Sequence, residues 1–525
     1  EHGVVCADAV RFGGGMGNIA RGGRISGLPR YLEGARYSAQ WAGMPYEVYA
    51  GRKGENDYTD DINTRSNVIN YLSGSSVYNP QQSGLGIPLE MTMALHSDAG
   101  CSKTDELIGS LGIYTTDFNN GKLNAGTDRY ASRDLADILL TQIQKDIYSS
   151  YSLPWTRRSM WNRNYSETRL PATPSTIIEL LSHQNFADMQ LGHDPNFKFT
   201  VGRAIYKGIL QFITNQHDKE YIVQPLPVSN FAIQFGKKKN TLELSWKGED
   251  DPQERTARPR EYIVYTRIGY GGFDNGTLVS KTSHTVKIEP GLVYSFKVTA
   301  VNRGGESFPS EILSVYKAKR EQGKVIIING FDRISGPAVV NTSDKAGFDL
   351  MQDPGVPYIS NISFCGAQTG KEGKGSLGHS GNELEGMKIA GNTFDYPFIH
   401  GKAIQAAGKY SFVSCSDEAV ENGLVTLEDY PVVDYILGLE KEDPASKAYY
   451  KTFSSAMQRI MTSYCQAGGN LFVSGAYVGS DMSGTQGNRE FTEKILKYGY
   501  QGSLTDKSSN QIKGLGRTIT IPRLP

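Results

Sequence analysis

The run VQPLPVSNF (223–231) separates two stretches whose apolar residues repeat at different periods, and that break decides how the chain can be divided. Before it, from about residue 19 to 215, helical and strand patterns alternate. ASRDLADILLTQIQKDI (131–147) and FKFTVGRAIYKGILQFI (197–213) carry apolar residues three and four apart, the period of an amphipathic helix. After it, TLELSW (241–246), EYIVYTRI (261–268), HTVKI (284–288) and YSFKVTAVN (294–302) follow one another between Gly, Asn and Pro turns, an all-β texture. A third texture begins at Lys324. KVIIINGFD (324–332), YSFVSCSDEAV (410–420) and NLFVSGAYVGSDM (470–482) are nearly continuous apolar strands ending in small polar turns, as in a parallel sheet covered on both faces. The expected fold class is therefore multidomain α/β plus β. The divisions are 1–18 (the last strand of a truncated or inserted β-domain), 19–222 (α/β), 223–320 (β) and 321–525 (α/β). A length of 525 residues agrees, being too great for one core.

Charge removes several classes of partner. Lys plus Arg and Asp plus Glu number 55 each, so no global field draws the chain to nucleic acid or an anionic membrane. No run approaches the roughly 18 apolar residues of a membrane span. The five cysteines lie far apart without a CxxC pair, which indicates neither a disulfide framework nor a zinc ribbon. GxxxxGK[ST] is absent and no GxGxxG directly follows any of these apolar strands, so nothing supports a nucleotide site. The opening strand GVVCADAVRF (3–12) has no earlier partner, and the sequence stops in the strand-like GRTITIPRLP. The expectation is a fragment, with more chain on both sides and a truncated last domain.

Three residues stand where chemistry collects. In IPLEMTMALHSDAG (87–100), Leu89, Met91, Met93 and Leu95 alternate with Glu90, Thr92 and Ala94 as in a strand, and His96 falls at its carboxyl end. That position suits a metal ligand or an acid–base group, and equally a histidine hydrogen-bonded to a loop. Glu179 interrupts the apolar strand of PSTIIELLSHQNFADM (174–189), where a carboxylate is costly unless paired, protonated or near a metal. A core arginine or an outward-facing edge would also explain it. Glu33 lies in GLPRYLEGARYSAQWAGMP (27–45), in the first turn of a helix opened by Pro29, where a glutamate commonly just complements the helix dipole.

Taken in order, an early helical Glu33, a strand-closing His96 and a late-strand Glu179 resemble the zinc-dependent N-acetylmuramoyl-L-alanine amidases of the amidase-3 family. LHSDAG (95–100) is similar to that family's "IHxNA" segment, and IIELLSHQNFADMQL (177–191) to its "vxExGFxsNxxD" segment, with Asn185 and Asp188 in step. DDINTRSNVINYL (60–72) resembles its arginine-bearing helix, with Arg65. The resemblance implies Glu33 and His96 as zinc ligands and Glu179 as the general base. The substrate class it implies is an amide bond in peptidoglycan-type cell-wall material. The family's first histidine has no counterpart between Val4 and Glu33, and His2 precedes a strand instead of following one. Two protein donors would then remain where a catalytic zinc has three, so zinc is expected to be absent or weakly held and this chain inactive.

The β region resembles a fibronectin type III domain, with Tyr294 at an E–F corner and Trp246 in the core. The last region looks Rossmann-like. ADAVRFGGGMGN resembles the end of a golvesin-type β-domain, and NGFDRISGPA (329–338), AGNTFDYPFIHGKAI (390–404) and GGNLFVSGAYVGSD (468–481) are similar to secreted bacterial proteins named xanthan lyases. This implies a secreted or cell-envelope location and a cell-wall or extracellular glycan or peptide polymer as partner. A competing expectation is a cell-surface glycan-binding or scaffold protein with a vestigial amidase core, which 30 tyrosines would suit. Cys415, at a turn after a strand with His400 upstream, reads as a nucleophile or as an inert turn residue; its neighbours Ser414 and Ser416 are not the glycines a nucleophile elbow needs.

Overall fold

The computed structural model describes residues 34–81, 84–102, 104–363 and 387–502, together with the backbone of short strands at Ala20–Arg21, Arg24–Ile25, Thr369–Gly370, Gln511–Gly514 and Arg517–Thr520. Glu33, His2 and the opening strand lie outside the described residues.

The first α/β unit begins with helix α1 (Ala35–Trp41) and helix α2 (Asp57–Leu72). Asn56 caps the latter, its Oδ1 accepting the backbone N–H of Thr59 at 2.9 Å. Four strands follow: β1 (Thr92–Asp98), β2 (Leu111–Tyr114), β3 (Trp161–Asn162) and β4 (Ser175–Ser182). Their order is β1-β4-β2-β3, with β1 parallel to β4 and β2 antiparallel to it. Helices α3 (Tyr130–Tyr151), α4 (Ser166–Arg169) and α5 (Pro195–Gln216) complete the unit.

Helices α3 and α5 pack together over one face of this sheet, because the apolar stripes seen in the sequence coincide: Leu135, Leu139 and Ile143 meet Val201, Ala204 and Phe212 around Ile178. A charged pair is buried in the same seam. Lys207 Nζ lies 2.7 Å from Asp146 Oδ2, with side chains only 2% and 4% exposed, and Gln142 donates to Asp146 at 2.8 Å. Strand β1 departs from the expected alternation. Met91 and Met93 pack on the core, but Leu95 is 53% exposed. β1 lies at the sheet edge, and its outer face there borders an open cavity instead of a helix.

The β unit comprises β5 (Ser229–Phe235), β6 (Thr241–Lys247), β7 (Glu261–Ile268), β8 (Thr277–Val279), β9 (Ser283–Lys287), β10 (Val293–Asn302) and β11 (Leu313–Tyr316). Strands β5-β6-β9 form one antiparallel layer and β8-β7-β10-β11 the other. Between them sits Trp246, 5% exposed and edge-on to Tyr262. The Tyr294 hydroxyl accepts the backbone N–H of Glu289 at 3.2 Å, tying the strand back to the preceding corner.

Strands β12 (Gly323–Asn329), β13 (Tyr410–Ser416), β14 (Val432–Gly438) and β15 (Asn470–Gly475) are parallel, in the order β13-β12-β14-β15. Helices α6 (Tyr396–Ala407), α7 (Asp417–Glu421) and α8 (Ser455–Gln466) lie in the crossovers. This sheet is not separate from the sandwich. Tyr316 of β11 pairs with Phe412 of β13, and Ala232 of β5 pairs with Cys415, so one hydrogen-bonded sheet runs through both units. The core is shared as well: Phe231, Trp246 and Phe296 belong to one buried cluster with Ile326, Val413 and Tyr435. Among the described residues, no helix is long and apolar enough to cross a membrane.

The Lys207–Asp146 pair generates a stability prediction. Lys207→Met alone strands a buried carboxylate and should cost about 3–5 kcal/mol, whereas adding Asp146→Leu should restore most of it. Chemical denaturation of the full chain checks this. Equal stability of the single variant and the parent would show that the pair is not sealed from water.

Candidate active site

Strand register builds the first part of the site. β1 and β4 run parallel with His96 opposite Glu179, and their register shifts by one residue between His96 and Asp98. The strand continues to Asp98, so His96 stands two residues before its end. His96 Nδ1 lies 3.8 Å from Glu179 Oε1. Glu33, the other residue singled out as a ligand, lies outside the described residues.

The other ring nitrogen meets a residue that the sequence did not single out. Glu167, on the short helix α4, places Oε2 3.2 Å and Oε1 3.4 Å from His96 Nε2. Arg65 of α2 donates to Glu167 Oε2 at 3.2 Å and also faces Asp61 at 3.7 Å. An imidazole thus stands between two carboxylates, and a guanidinium fixes one of them. In the sequence, NYSETRL shows only a first-turn glutamate on a polar segment, with no apolar strand around it to mark Glu167 as unusual.

Electrostatics separates the two carboxylates. The Glu167 hydrogen bond raises the His96 pKa, against the opposing effect of burial. Burial disfavours ionised Glu167, yet His96 and Arg65 together hold its carboxyl below the usual range. For Glu179 burial dominates, aided by the nearby Asp98, and its carboxyl is pushed up despite His96 and Arg158. Its Oε2 is shut off from solvent without a hydrogen-bond partner. One member is therefore kept ionised and the other biased toward its protonated form, the separation an acid–base site uses.

Asn185 and Asp188 act on the backbone. Asn185 Oδ1 accepts the N–H of Ser102 at 3.0 Å, and its Nδ2 donates to Glu106 O at 2.9 Å. Asp188 accepts the N–H groups of Ile108 and Ser182, both at 2.9 Å. They pin the loop after β1 to the end of β4, which sets the position of both strand ends. Arg158 pairs with Asp98 at 2.6 Å, and His183 Nδ1 lies 3.1 Å from Ser97 Oγ at the same rim. The site opens into a cavity of about 450 Å³ lined by Arg65, Ala94, Leu95, His96, Ser97 and Glu167.

The donor set can be tested against zinc. Two ligands bonded at about 2.0–2.2 Å to a tetrahedral zinc stand roughly 3.3–3.6 Å apart. His96 Nε2 and the Glu167 carboxylate, at 3.2 and 3.4 Å, have that spacing. Imidazole and carboxylate are donors that zinc takes.

Cys415 has different surroundings. It is wholly buried in the cluster shared with the sandwich, and burial, with Asp417, Glu311 and Glu418 nearby, pushes its thiol well above the ordinary range. His400 Nδ1 instead meets Asp434 Oδ2 at 2.9 Å. Asp434 alternates along β14 with Val433 and Tyr435, which share the Cys415 cluster, so it faces the opposite side of the sheet. The thiol is held neutral, away from that histidine.

The pair of His96 and Glu167 gives a pH prediction. A carboxyl lowered from 4.5 contributes stability above that pH, and an imidazole raised from 6.5 contributes it below that pH. Their coupling is full between pH 4.5 and 6.5, fades as the pH rises through the raised His96 value, and fades again in acid through the lowered Glu167 value. Glu167→Gln should therefore lower the denaturation midpoint most inside that window. In an NMR titration it should also return His96 toward its ordinary value.

No family model and no curated protein matches the chain. Solved structures match over part of the chain. One, titled "Structure of FN3tt mut", is 21% identical, covers 18% of this chain and 94% of its own, and gives a TM-score of 0.15. A solution structure of the fourth FNIII domain of a human protein is 20% identical, covers 18% and 79%, and gives 0.16. The chain is a mixed α/β protein with several sheets, and its solved likenesses are fibronectin type III domains.

Proposed function

We propose that the first α/β unit is a zinc-dependent amidohydrolase that cleaves an amide bond in peptidoglycan-type cell-wall material, in a secreted or envelope-located bacterial protein. The observation that carries this reading is the meeting of His96, Glu167 and Glu179, with one buried oxygen of Glu179 lacking any partner. Zinc, when bound, would polarise the amide carbonyl and acidify water. His96 and Glu167 are the donors for it among the described residues, and Glu33 is the further ligand that the amidase resemblance implies.

The remaining work falls to the chain itself. Glu179 is poised to take a proton from water and return it to the departing amine, because burial brings its carboxyl closer to neutral pH. Arg65 keeps Glu167 ionised and oriented. The open cavity beside exposed Leu95 leaves room for a polymer's side branch, and the exposed rings of Trp161 and Tyr165 flank α4, where sugar rings can stack.

Those exposed rings, and the engagement of both His96 nitrogens by carboxylates, also favour a second reading: glycan or muropeptide binding by a vestigial core. Turnover separates the two. With zinc supplied, the protein should release peptide from muropeptides, and Glu179→Gln should lower kcat by about 10²–10⁴-fold while leaving binding intact. Full activity in Glu179→Gln would remove Glu179 as the base. Muropeptide binding without zinc-dependent turnover in the parent protein would establish the second reading.

A further inference from the structure

The first α/β unit carries a second polar cavity, of about 310 Å³, that shares helix α4 with the His96 site. Glu167 lines the cavity beside His96, and Arg169, two residues further along α4, lines this one. Residues so spaced lie on different faces of a helix. Arg129 lines it too, with Phe118 and the asparagines Asn79, Asn119 and Asn124, and the lining holds no carboxylate.

Arg129 is the exception among buried cations. Among the described residues the buried cationic side chains are Lys207, Arg333 and Arg129. Lys207 pairs with Asp146 at 2.7 Å and Arg333 with Asp353 at 2.6 Å. Arg129, 3% exposed, pairs with no carboxylate among the described residues. Its Nε, Nη1 and Nη2 donate to the carbonyls of Lys122, Thr168 and Arg169 at 3.1, 3.3 and 3.0 Å, and its guanidinium lies 5.2 Å over the Phe118 ring. Carbonyls orient a guanidinium but carry only partial charge, and burial lowers the Arg129 pKa with no acid to oppose it. A buried charge is ordinarily paired.

Arg169 makes the imbalance larger. It is half-buried, and Nη1 donates to the carbonyl of Asn164 at 3.1 Å, again with no carboxylate partner among the described residues. Two guanidinium groups around one cavity repel each other unless an anion lies between them.

We propose that Arg129 and Arg169 hold a carboxylate of the peptide branch of the muropeptide, a subsite that rests on the reading under Proposed function. A guanidinium has five N–H donors, and the three carbonyls leave one on each terminal nitrogen of Arg129. Two such donors match the two oxygens of a carboxylate, whereas a phosphate brings three acceptor oxygens and more charge. The three carbonyls and the Phe118 ring hold the plane of the guanidinium before any ligand arrives, so little ordering is left to the binding step. A helix is roughly 10 Å across, a span that an extended peptide covers in about three residues. A peptide whose amide lies beside His96 can therefore pass α4 and reach the arginines.

Calorimetric titration of the full chain, without added zinc and at fixed ionic strength, tests this with two muropeptides of at least about three peptide residues. One keeps its peptide carboxylates free and the other has them amidated. Amidation should weaken binding about tenfold or more, because it removes a charge-assisted hydrogen bond. Arg169→Gln should weaken the free form to the same level and leave the amidated form unchanged. Arg169→Lys, which keeps the charge without the fork, is the second variant should Arg169→Gln fail to fold, and should lose part of that affinity. Arg303→Gln, at an arginine 78% exposed and outside this cavity, should change neither affinity. Equal binding of the two muropeptides by the parent, or parent-like discrimination in the folded Arg169 variant, would overturn the subsite while leaving muropeptide binding intact. Should neither muropeptide bind, the reading under Proposed function fails, and N-acetylalanine at millimolar concentration decides for the arginines. Binding that is lost in Arg169→Gln would uphold a carboxylate site, whereas no binding, or tighter binding of inorganic phosphate, would overturn it.

Discussion

Two serine hydroxyls hold the sandwich to the parallel sheet, and much of the architecture rests on them. Ser411 Oγ accepts the N–H of Ala318 at 3.0 Å; Ser414 Oγ accepts the N–H of Ser314 at 2.8 Å and donates to its carbonyl at 2.7 Å. Only one backbone pair, Tyr316 with Phe412, joins β11 and β13, so the hydroxyls complete a ladder that the main chains alone do not. All of these groups are buried, where an unmade hydrogen bond costs about 1–3 kcal/mol. Arg267 adds a two-pronged bond to Asp395, both arms at 2.7 Å, with its guanidinium 4.7 Å over the Phe398 ring. A sandwich bound this way is a structural wall of the last unit, not a free spacer beside it.

The sequence revealed elements more readily than their partners. ASRDLADILLTQIQKDI became α3 because local spacing decides which face of a helix is apolar, and KVIIINGFD became the central strand β12 because an unbroken apolar run has to be covered on both sides. Trp246 and Tyr294 were legible for a similar reason, since the corner bond spans only five residues. The seam was not. Ser314 and Ser414 are 100 residues apart, and a serine in YSFVSCS looks like a weak strand residue until its hydroxyl partner is known. Lys207 was hidden in the same way, as a polar residue within an apolar stripe whose partner lies 61 residues earlier.

The candidate site divides along the same line. His96 and Glu179 were legible because each violates or terminates a strand pattern, and parallel register then sets them opposite one another. Glu167 violates nothing locally. It reaches the site only through α2, whose Arg65 approaches from 102 residues away, and through the folding of α4 against the strand ends. Asn185 and Asp188 were noticed for their place in a motif, but their contribution is mechanical: three hydrogen bonds that fix the loop between β1 and β2 and one that fixes the end of β4. A motif can thus combine residues that do chemistry with residues that hold those residues still.

Two acidic centres lie at strand ends, one around His96 and one where carboxylate oxygens of Asp332, Asp417 and Glu418 lie within 4.8 Å of one another, yet they solve the problem of buried carboxylates differently. Around His96 the charges alternate, Arg65 to Glu167 to imidazole to Glu179, and each neighbour lowers the cost of burying the next. Around Asp332 the sign does not alternate; the nearby cations turn to Asp353 and Asp481 instead. In a chain with 55 basic and 55 acidic residues, such a local surplus reflects placement and not composition. An alternating chain is stable as it stands and can exchange protons among its members. A uniform cluster can be relieved only by protonation or by a cation from outside, whereas the alternating one needs neither.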